Sequence, residues 1–132
     1  MREILFRGKK IRSGEWIEGY YFARPILERH FILTGEEQWE IEPKTLCQYT
    51  GLTDKNGNKI WENDVIKHYN KVEIGEPDKY MIASIRWEHN NVRFVQDTEE
   101  GKYSIIGSRY FEVIGNIFDG EFQNDSEGTK KD

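Results

Sequence analysis

The sequence contains a single cysteine, Cys47, so it cannot form an internal disulfide bond. It also lacks a long apolar run, because none approaches the roughly 18 residues that a membrane-spanning helix needs. The first seven residues contain neither the apolar region nor the small-residue cleavage site of a signal peptide. Together these absences predict a cytoplasmic protein that is not associated with a membrane.

Signatures of catalysis are missing as well. The chain has no Gly-x-Ser-x-Gly elbow, no His-Glu-x-x-His pair and no glycine-rich phosphate loop. The three histidines, His30, His68 and His89, lie in separate segments without the short spacing typical of zinc ligands. Cys47 could act as a nucleophile with His68, but its setting favours a small buried hydrophobic residue. We therefore expect no enzyme activity, no cofactor and no metal site.

The charge balance argues against a nucleic-acid partner. There are 19 Lys and Arg residues against 24 Asp and Glu residues, which gives a net charge of −5. Binding to nucleic-acid phosphates relies on clustered cations, and the one basic cluster, residues 9–12, is short. The alternative, a small β-barrel that binds nucleic acid, would require scattered cations to gather beside Tyr or Trp on one face. These cations are Lys9, Lys10, Arg12, Arg86 and Arg93.

Alternating apolar residues predict a mainly β protein. In residues 80–88 one face collects Met81, Ala83, Ile85 and Trp87, and the chain then turns and returns as residues 92–96. This pattern is typical of a β-hairpin. Shorter alternating stretches predict strands at residues 16–23, 38–42 and 111–117, where Gly115 indicates a bulge. Residues 24–31 fit either one or two helical turns or a strand bend.

The same pattern predicts the organisation of the chain. Turn residues and Pro43 separate an N-terminal β-meander, residues 1–43, from a small SH3-like β-barrel, residues 44–118. Helix is expected to be scarce. Residues 119–132 are acidic and contain one aromatic residue, so we expect a disordered tail.

Three segments of the sequence resemble the YopX family, which is found in phages and prophages. They are residues 2–8 with 16–19, residues 48–66, and residues 112–118. Where the family usually has glycine this chain has Asn63, and where it has a smaller aromatic residue this chain has Trp61. Asparagine adopts positive φ more readily than other non-glycine residues, so the turn at Asn63 should persist. The resemblance implies a phage or prophage origin, a bacterial host cell, a β-rich fold and self-association. It does not indicate which biochemical activity the protein has.

The middle segment is explained by turn chemistry. Asn56-Gly57 is the favoured pair for a two-residue hairpin turn in which both residues have positive φ. Asp54 is expected to accept hydrogen bonds from backbone amides of its own loop, and Asp64 to cap amides at a second turn. The alternative is that Asp54, Glu62 and Asp64 form an acidic site for a cation or a basic partner.

The aromatic content, 14%, suggests where a function could lie. The large aromatic residues either all pack inside or partly form a protein interface, where Tyr and Trp are enriched. We therefore expect a non-enzymatic accessory protein that self-associates or binds a host or phage protein. A nucleic-acid-binding protein is the alternative, and a small metal-dependent hydrolase is a third. The candidate binding residues are Trp39, Tyr49, Asp54, Asn56, Trp61, Glu62, Asp64 and Tyr69.

Overall fold

A computed structural model describes residues 4–70, 79–105 and 107–119, with the backbone alone at residues 70 and 79. The chain divides into two compact units, residues 1–51 and residues 52–132. The fold is mainly β, as predicted, and its strands form two antiparallel sheets. Most of the expected acidic tail, residues 120–132, lies outside the described residues.

The N-terminal unit is built on a β-meander. Its strands belong to a six-stranded sheet of order β4-β3-β2-β1-β5-β6, in which the short strand β6 is part of the C-terminal unit. The strands are β1 (Phe6–Lys9), β2 (Trp16–Arg24), β3 (Arg29–Thr34), β4 (Glu37–Glu40), β5 (Cys47–Thr53) and β6 (Lys59–Trp61). A bridge between Lys10 and Ile41 links the end of β1 to the end of β4, so the sheet curls over its own core.

The division between the units falls inside β5, after Gly51, whereas the sequence placed it after residue 43. The cause is a pairing that the sequence pattern did not show. Residues Cys47 and Gln48 pair with Arg7 and Phe6 of β1, so the first part of β5 belongs to the N-terminal sheet.

Two glycines of the N-terminal unit lie where the backbone packs too closely for a side chain. A Cβ atom at Gly8 would lie 2.6 Å from Cδ1 of Ile41, which is itself completely buried. A Cβ atom at Gly19 would overlap the carbonyl oxygen of Leu33 on the neighbouring strand. The glycines therefore allow the curled sheet to close tightly around Ile41 and Ile32.

The β2–β3 connection settles the two alternatives for residues 24–31. It is a single 3-10 turn, Pro25–Leu27, at the end of a long hairpin. Glu28 ends the turn with φ at 54°, and its N–H donates to the carbonyl of Pro25 at 3.0 Å. The side chain of Ile26 is 96% exposed, so the apolar residues of the turn point into solvent rather than into the core.

The C-terminal unit contains a five-stranded sheet in the order β10-β9-β8-β7-β11. The strands are β7 (Asp64–Asn70), β8 (Lys79–Glu88), β9 (Arg93–Thr98), β10 (Gly101–Ser104) and β11 (Phe111–Asn116). Its buried core consists of Ile60, Ile66, Ala83, Ile85 and Phe111. Among the described strands, β10 and β11 are the two edges of an open sheet, so the predicted SH3-like barrel is not confirmed.

Local predictions for the five-stranded sheet hold with one correction. The predicted hairpin is present as β8 and β9, and the register shift between Val113 and Gly115 is the predicted bulge. The correction concerns Val92, which was placed on the returning strand. It lies in the turn with φ at 51° and is 70% exposed, because β9 begins only at Arg93.

We predict that Gly19→Ala destabilises the protein by about 2 kcal/mol, because the added methyl group must displace the Leu33 backbone. The free energy of unfolding, measured in denaturant, checks this. Gly107→Ala is the matched control, since its Cβ would meet nothing closer than 3.9 Å. Equal stability of the two variants would contradict the proposed backbone contact.

Candidate functional site

Asp54 is the centre of the signature segment. Its side chain is only 5% exposed, and its carboxylate accepts three backbone hydrogen bonds. Oδ1 accepts from the N–H groups of Asn56 and Asn58, both at 2.9 Å, and Oδ2 accepts from the N–H of Val113 at 2.9 Å. The predicted Asx turn is therefore confirmed, and the same carboxylate also holds the loop against β11.

These hydrogen bonds control the ionisation of Asp54. Burial raises the pKa of the carboxyl group, but the amide bonds from Val113, Asn58 and Asn56 together outweigh burial and lower the pKa. The carboxylate is therefore charged at neutral pH and acts as a fixed acceptor. Its three backbone donors lie in its own loop and on β11, so the carboxylate stabilises the fold.

The predicted two-residue turn at Asn56-Gly57 is wrong. Five residues, 54–58, connect β5 to β6, and of the pair only Gly57 has positive φ, at 84°. The loop is closed by Asp54, whose N–H donates to the carbonyl of Asn58 at 2.8 Å. A two-residue turn would not place the amides of both Asn56 and Asn58 within reach of the Asp54 carboxylate. The Asx turn at Asp54 therefore requires the five-residue loop.

The second turn of the segment is structural as well. Asn63 has φ at 71°, as predicted, and its side-chain oxygen accepts from the guanidinium of Arg86 at 3.0 Å. Asp64 is 1% exposed, and its Oδ2 accepts from the N–H of Trp61 at 2.8 Å. Trp61 is 3% exposed and packs inside.

The structure does not assemble the acidic site that was the alternative for this segment. Within the part of the chain that is described, no three His, Cys, Asp or Glu side chains lie close enough to hold a metal ion. Asp54 and Asp64 instead bind backbone amides. Cys47 is completely buried in the N-terminal unit, and its thiol donates to the carbonyl of Thr45 at 3.2 Å.

The remaining aromatic candidates fall into two groups. Tyr49 is only 9% exposed and belongs to the N-terminal core. Tyr69 is half-buried on the C-terminal sheet, where its hydroxyl donates to Glu112 at 2.8 Å and its ring lies 5.7 Å from that of Tyr80. Lys55 lies over the Tyr69 ring at 4.3 Å, so neighbouring side chains already contact this ring.

Trp39 lies in a different setting, on a groove of about 470 Å³ in the N-terminal unit. Residues of β3 and β4 form one side of the groove, and the turn between β1 and β2 forms the other. The apolar surface comes from Ile11, Phe31 and Trp39, and Ile11 is 51% exposed. The polar lining consists of Lys10, Arg12, Ser13, Glu15, Arg29, Gln38 and Glu40.

The charges around this groove, which we call the Trp39 groove, are partly paired. The ammonium of Lys10 lies 3.7 Å from the centroid of the Trp39 ring and 3.6 Å from a carboxylate oxygen of Glu15. Arg29 donates to Glu40 at 2.8 Å, and this hydrogen bond lowers the pKa of Glu40 and raises the pKa of Arg29. Three cations face two carboxylates, so the lining carries one net positive charge.

Trp39 carries a polar group that the fold leaves unsatisfied. Its indole Nε1 is buried and has no hydrogen-bond acceptor within the described part of the chain. A buried donor without an acceptor costs about 1–3 kcal/mol, so a phenylalanine would pack here at lower cost. Trp39 is therefore a candidate for a role other than packing.

The cations named by the nucleic-acid alternative are divided between the two units. Lys9 and Lys10 lie over Trp16 and Trp39 in the N-terminal unit, and Arg12 lines the groove. Arg86 and Arg93 belong to the C-terminal unit, where they bind Asn63 and Glu88.

Sequence reasoning identified Trp39 and missed the rest of the groove. The missing information was the register of β3 and β4, which places Phe31 beside Glu40. It also required the Lys10–Ile41 bridge, which brings the turn between β1 and β2 to the end of β4. Alternation along the separate strands contains neither pairing.

The fold is that of a small, mainly β protein, and its N-terminal unit carries the Trp39 groove. The chain belongs to the YopX family, whose sequence pattern matches residues 5–121. No curated protein matches the chain in sequence. Among solved structures it is similar to the crystal structure of protein EF1440 from Enterococcus faecalis, at 19% identity and a TM-score of 0.53. That similarity covers 92% of this chain and 97% of the other, and it establishes the fold alone.

In the described residues, no helix has the length and apolar character needed to cross a membrane.

We predict that Asp54→Asn lowers the free energy of unfolding by about 2 kcal/mol at pH 7, because its amide NH₂ would oppose the N–H of Val113. The pKa of Asp54 is lower in the folded protein than in the unfolded chain, so the ionised carboxylate stabilises the fold. This stabilisation is fully present at pH values above the unfolded-state pKa and is lost as the pH falls through the folded-state pKa. The difference from the native protein should therefore shrink below about pH 4.

Denaturant unfolding at several pH values measures this difference. Glu99→Gln, at an exposed turn position, removes the same charge and serves as the control. A difference that persists unchanged to low pH would exclude ionised Asp54 as its source.

Proposed function

We propose that this protein is a non-enzymatic accessory protein of a phage or prophage that acts in the bacterial cytoplasm. It works by holding a segment of another protein chain in the Trp39 groove. The observation that carries this proposal is the groove itself, where a half-buried tryptophan lies beside Lys10 and Arg29. Tryptophan and arginine are the residues most enriched at the energetic centres of protein interfaces.

The lining of the groove supports a protein ligand. Its volume, about 470 Å³, is also in the range of small-ligand pockets, so the volume alone does not select the ligand class. Its apolar residues can bury aliphatic side chains, while the surrounding charges can orient them. The signature segment is less suited to binding, because Asp54 and Asp64 are buried and bind amides of their own chain.

Nucleic acid is the second candidate, since cations lie beside Trp16 and Trp39. Two observations weigh against it. Residues 1–51 contain eight Lys and Arg and eight Asp and Glu, so the unit that carries the groove lacks the basic excess typical of phosphate binding. The cations of this chain also occupy the tryptophan rings on which bases would have to stack.

We predict that a photo-crosslinking residue, p-benzoylphenylalanine, at position 11 forms adducts with another protein chain in the host cell. The same residue at position 92, an exposed turn position in the C-terminal unit, is the control and should form far fewer adducts. Mass spectrometry identifies each adduct as a second copy or as a different protein. Arg12→Glu should reduce the adducts at least threefold, because Arg12 lines the groove, whereas Lys44→Glu outside it should not.

Equal adduct yields from positions 11 and 92 would contradict a protein-binding groove. Salt-sensitive retention of the protein on single-stranded DNA, abolished by Arg12→Glu, would favour the nucleic-acid candidate instead.

A further inference from the structure

We infer that the Trp39 groove binds an extended segment of a partner protein, which pairs with the backbone of Gln38 and places a carboxylate at Arg12. This inference rests on the proposed function of the groove. It adds the mode of binding and the chemistry of the partner, an aliphatic side chain next to an acidic one.

Among the described strands, β4 lies at an edge, and its pairing with β3 shows which of its backbone groups face outward. The N–H of Ile41 donates to the carbonyl of His30 at 2.9 Å, so these opposite residues form a hydrogen-bonded pair. Hydrogen-bonded and non-hydrogen-bonded pairs alternate in an antiparallel sheet. The pair of Leu33 and Gln38, three positions away, is therefore non-hydrogen-bonded. The N–H and C=O of Gln38 point away from β3.

A second hydrogen bond supports this assignment from the outer side of β4. The carbonyl of Glu40 accepts from the N–H of Ile11 at 3.0 Å, and Ile11 belongs to the turn between β1 and β2. Gln38 lies two positions from Glu40 on the same strand, so its backbone groups point to the same side. Within the described part of the chain, no hydrogen bond reaches the Gln38 backbone from this side. An extended segment can therefore continue the pairing that Ile11 begins.

The open edge of β4 lies on the groove. Gln38 itself lines the groove, so a segment that pairs with its backbone runs along it. Successive side chains of a strand point to opposite faces, and alternate side chains of the added segment therefore face the groove. Ile11, Phe31 and Trp39 supply the apolar surface against which an aliphatic side chain can be buried there.

The charges of the lining favour an acidic residue in the partner. Arg29 donates to Glu40, so its charge is already compensated. The ammonium of Lys10 lies 3.6 Å from a carboxylate oxygen of Glu15. Arg12 is exposed, and in the described residues it forms neither an ion pair nor a hydrogen bond. The net positive charge of the groove therefore lies at Arg12, where a carboxylate of the partner can form a bidentate pair.

The two ends of β4 differ in charge, which determines the order of the partner's residues. Glu36 and Glu37 are exposed at the start of the strand. At its end, Glu40 is bound to Ile11, the residue directly before Arg12. An acidic residue is therefore favoured at the Arg12 end alone, and a basic residue is favoured at the Glu37 end.

Selection of random linear peptides by mRNA display against the full chain tests this chemistry. We expect the enriched peptides to combine an acidic residue with aliphatic residues at alternate positions. Selection against Arg12→Glu should replace the acidic residue by a basic one. Lys44→Glu, an exposed position outside the groove, is the matched control and should enrich the same peptides as the native protein.

Fluorescence anisotropy with the most enriched peptide tests the pairing with Gln38. Gln38→Pro removes the outward N–H, a change that an edge strand tolerates, and should weaken binding about fivefold or more. Gln38→Ala keeps this N–H and removes the side chain, so it should bind as the native protein does. Equal losses in the two variants would overturn the backbone pairing.

An ester scan of the same peptide tests the pairing without relying on the folding of Gln38→Pro. An ester in place of the peptide amide that donates to the Gln38 carbonyl should weaken binding about threefold or more. Esters at the two neighbouring amides should have no effect, because those amides face the other side of the segment. Equal tolerance of esters along the whole peptide would overturn the inference.

The outcomes separate this inference from the proposed function. If position 11 crosslinks to a different protein but no peptide is enriched, the groove binds that protein in another way and the inference is wrong. If the native protein dimerises and Gln38→Pro is monomeric, the edge pairs with a second copy and the inference is also wrong. If position 11 crosslinks to no protein, the proposed function fails as well.

Discussion

The carboxylate of Asp54 is the interaction on which the C-terminal unit depends most. It binds two amides of its own loop and the amide of Val113 on β11, so one side chain fixes both the loop and its attachment to the sheet. The loop is joined to β11 a second time, because the N–H of Lys55 donates to the carbonyl of Phe111. An edge strand whose outer groups are bound in this way offers less to another chain.

This arrangement separates the family signature from the surface that we propose to be functional. The residues of the signature segment close turns and enter the core, which explains why they form a recognisable sequence pattern. The Trp39 groove instead uses exposed or half-buried residues of the N-terminal unit, such as Ile11 and Trp39. Binding surfaces of this kind depend on exposure and shape, which turn motifs do not encode.

What could be predicted from the sequence was local. The β8–β9 hairpin, the turn at Asn63, the bulge at Gly115 and the Asx turn at Asp54 all follow from residues close together in the chain. The errors arose where a distant partner decides the structure. The start of β5 pairs with β1 and so belongs to the N-terminal sheet, and the carboxylate of Asp54 binds the amide of Val113, which lies 59 positions further along the chain. The groove combines three separate segments, so no single stretch predicted it.

Amide hydrogen exchange at Asn56, Asn58 and Val113 tests most directly whether one carboxylate holds the loop and β11 together. The account predicts that these three amides are protected in the native protein and lose protection together in Asp54→Asn, while amides of β2 and β3 keep theirs. Protection at Val113 that survives in Asp54→Asn, with loss confined to Asn56 and Asn58, would contradict it.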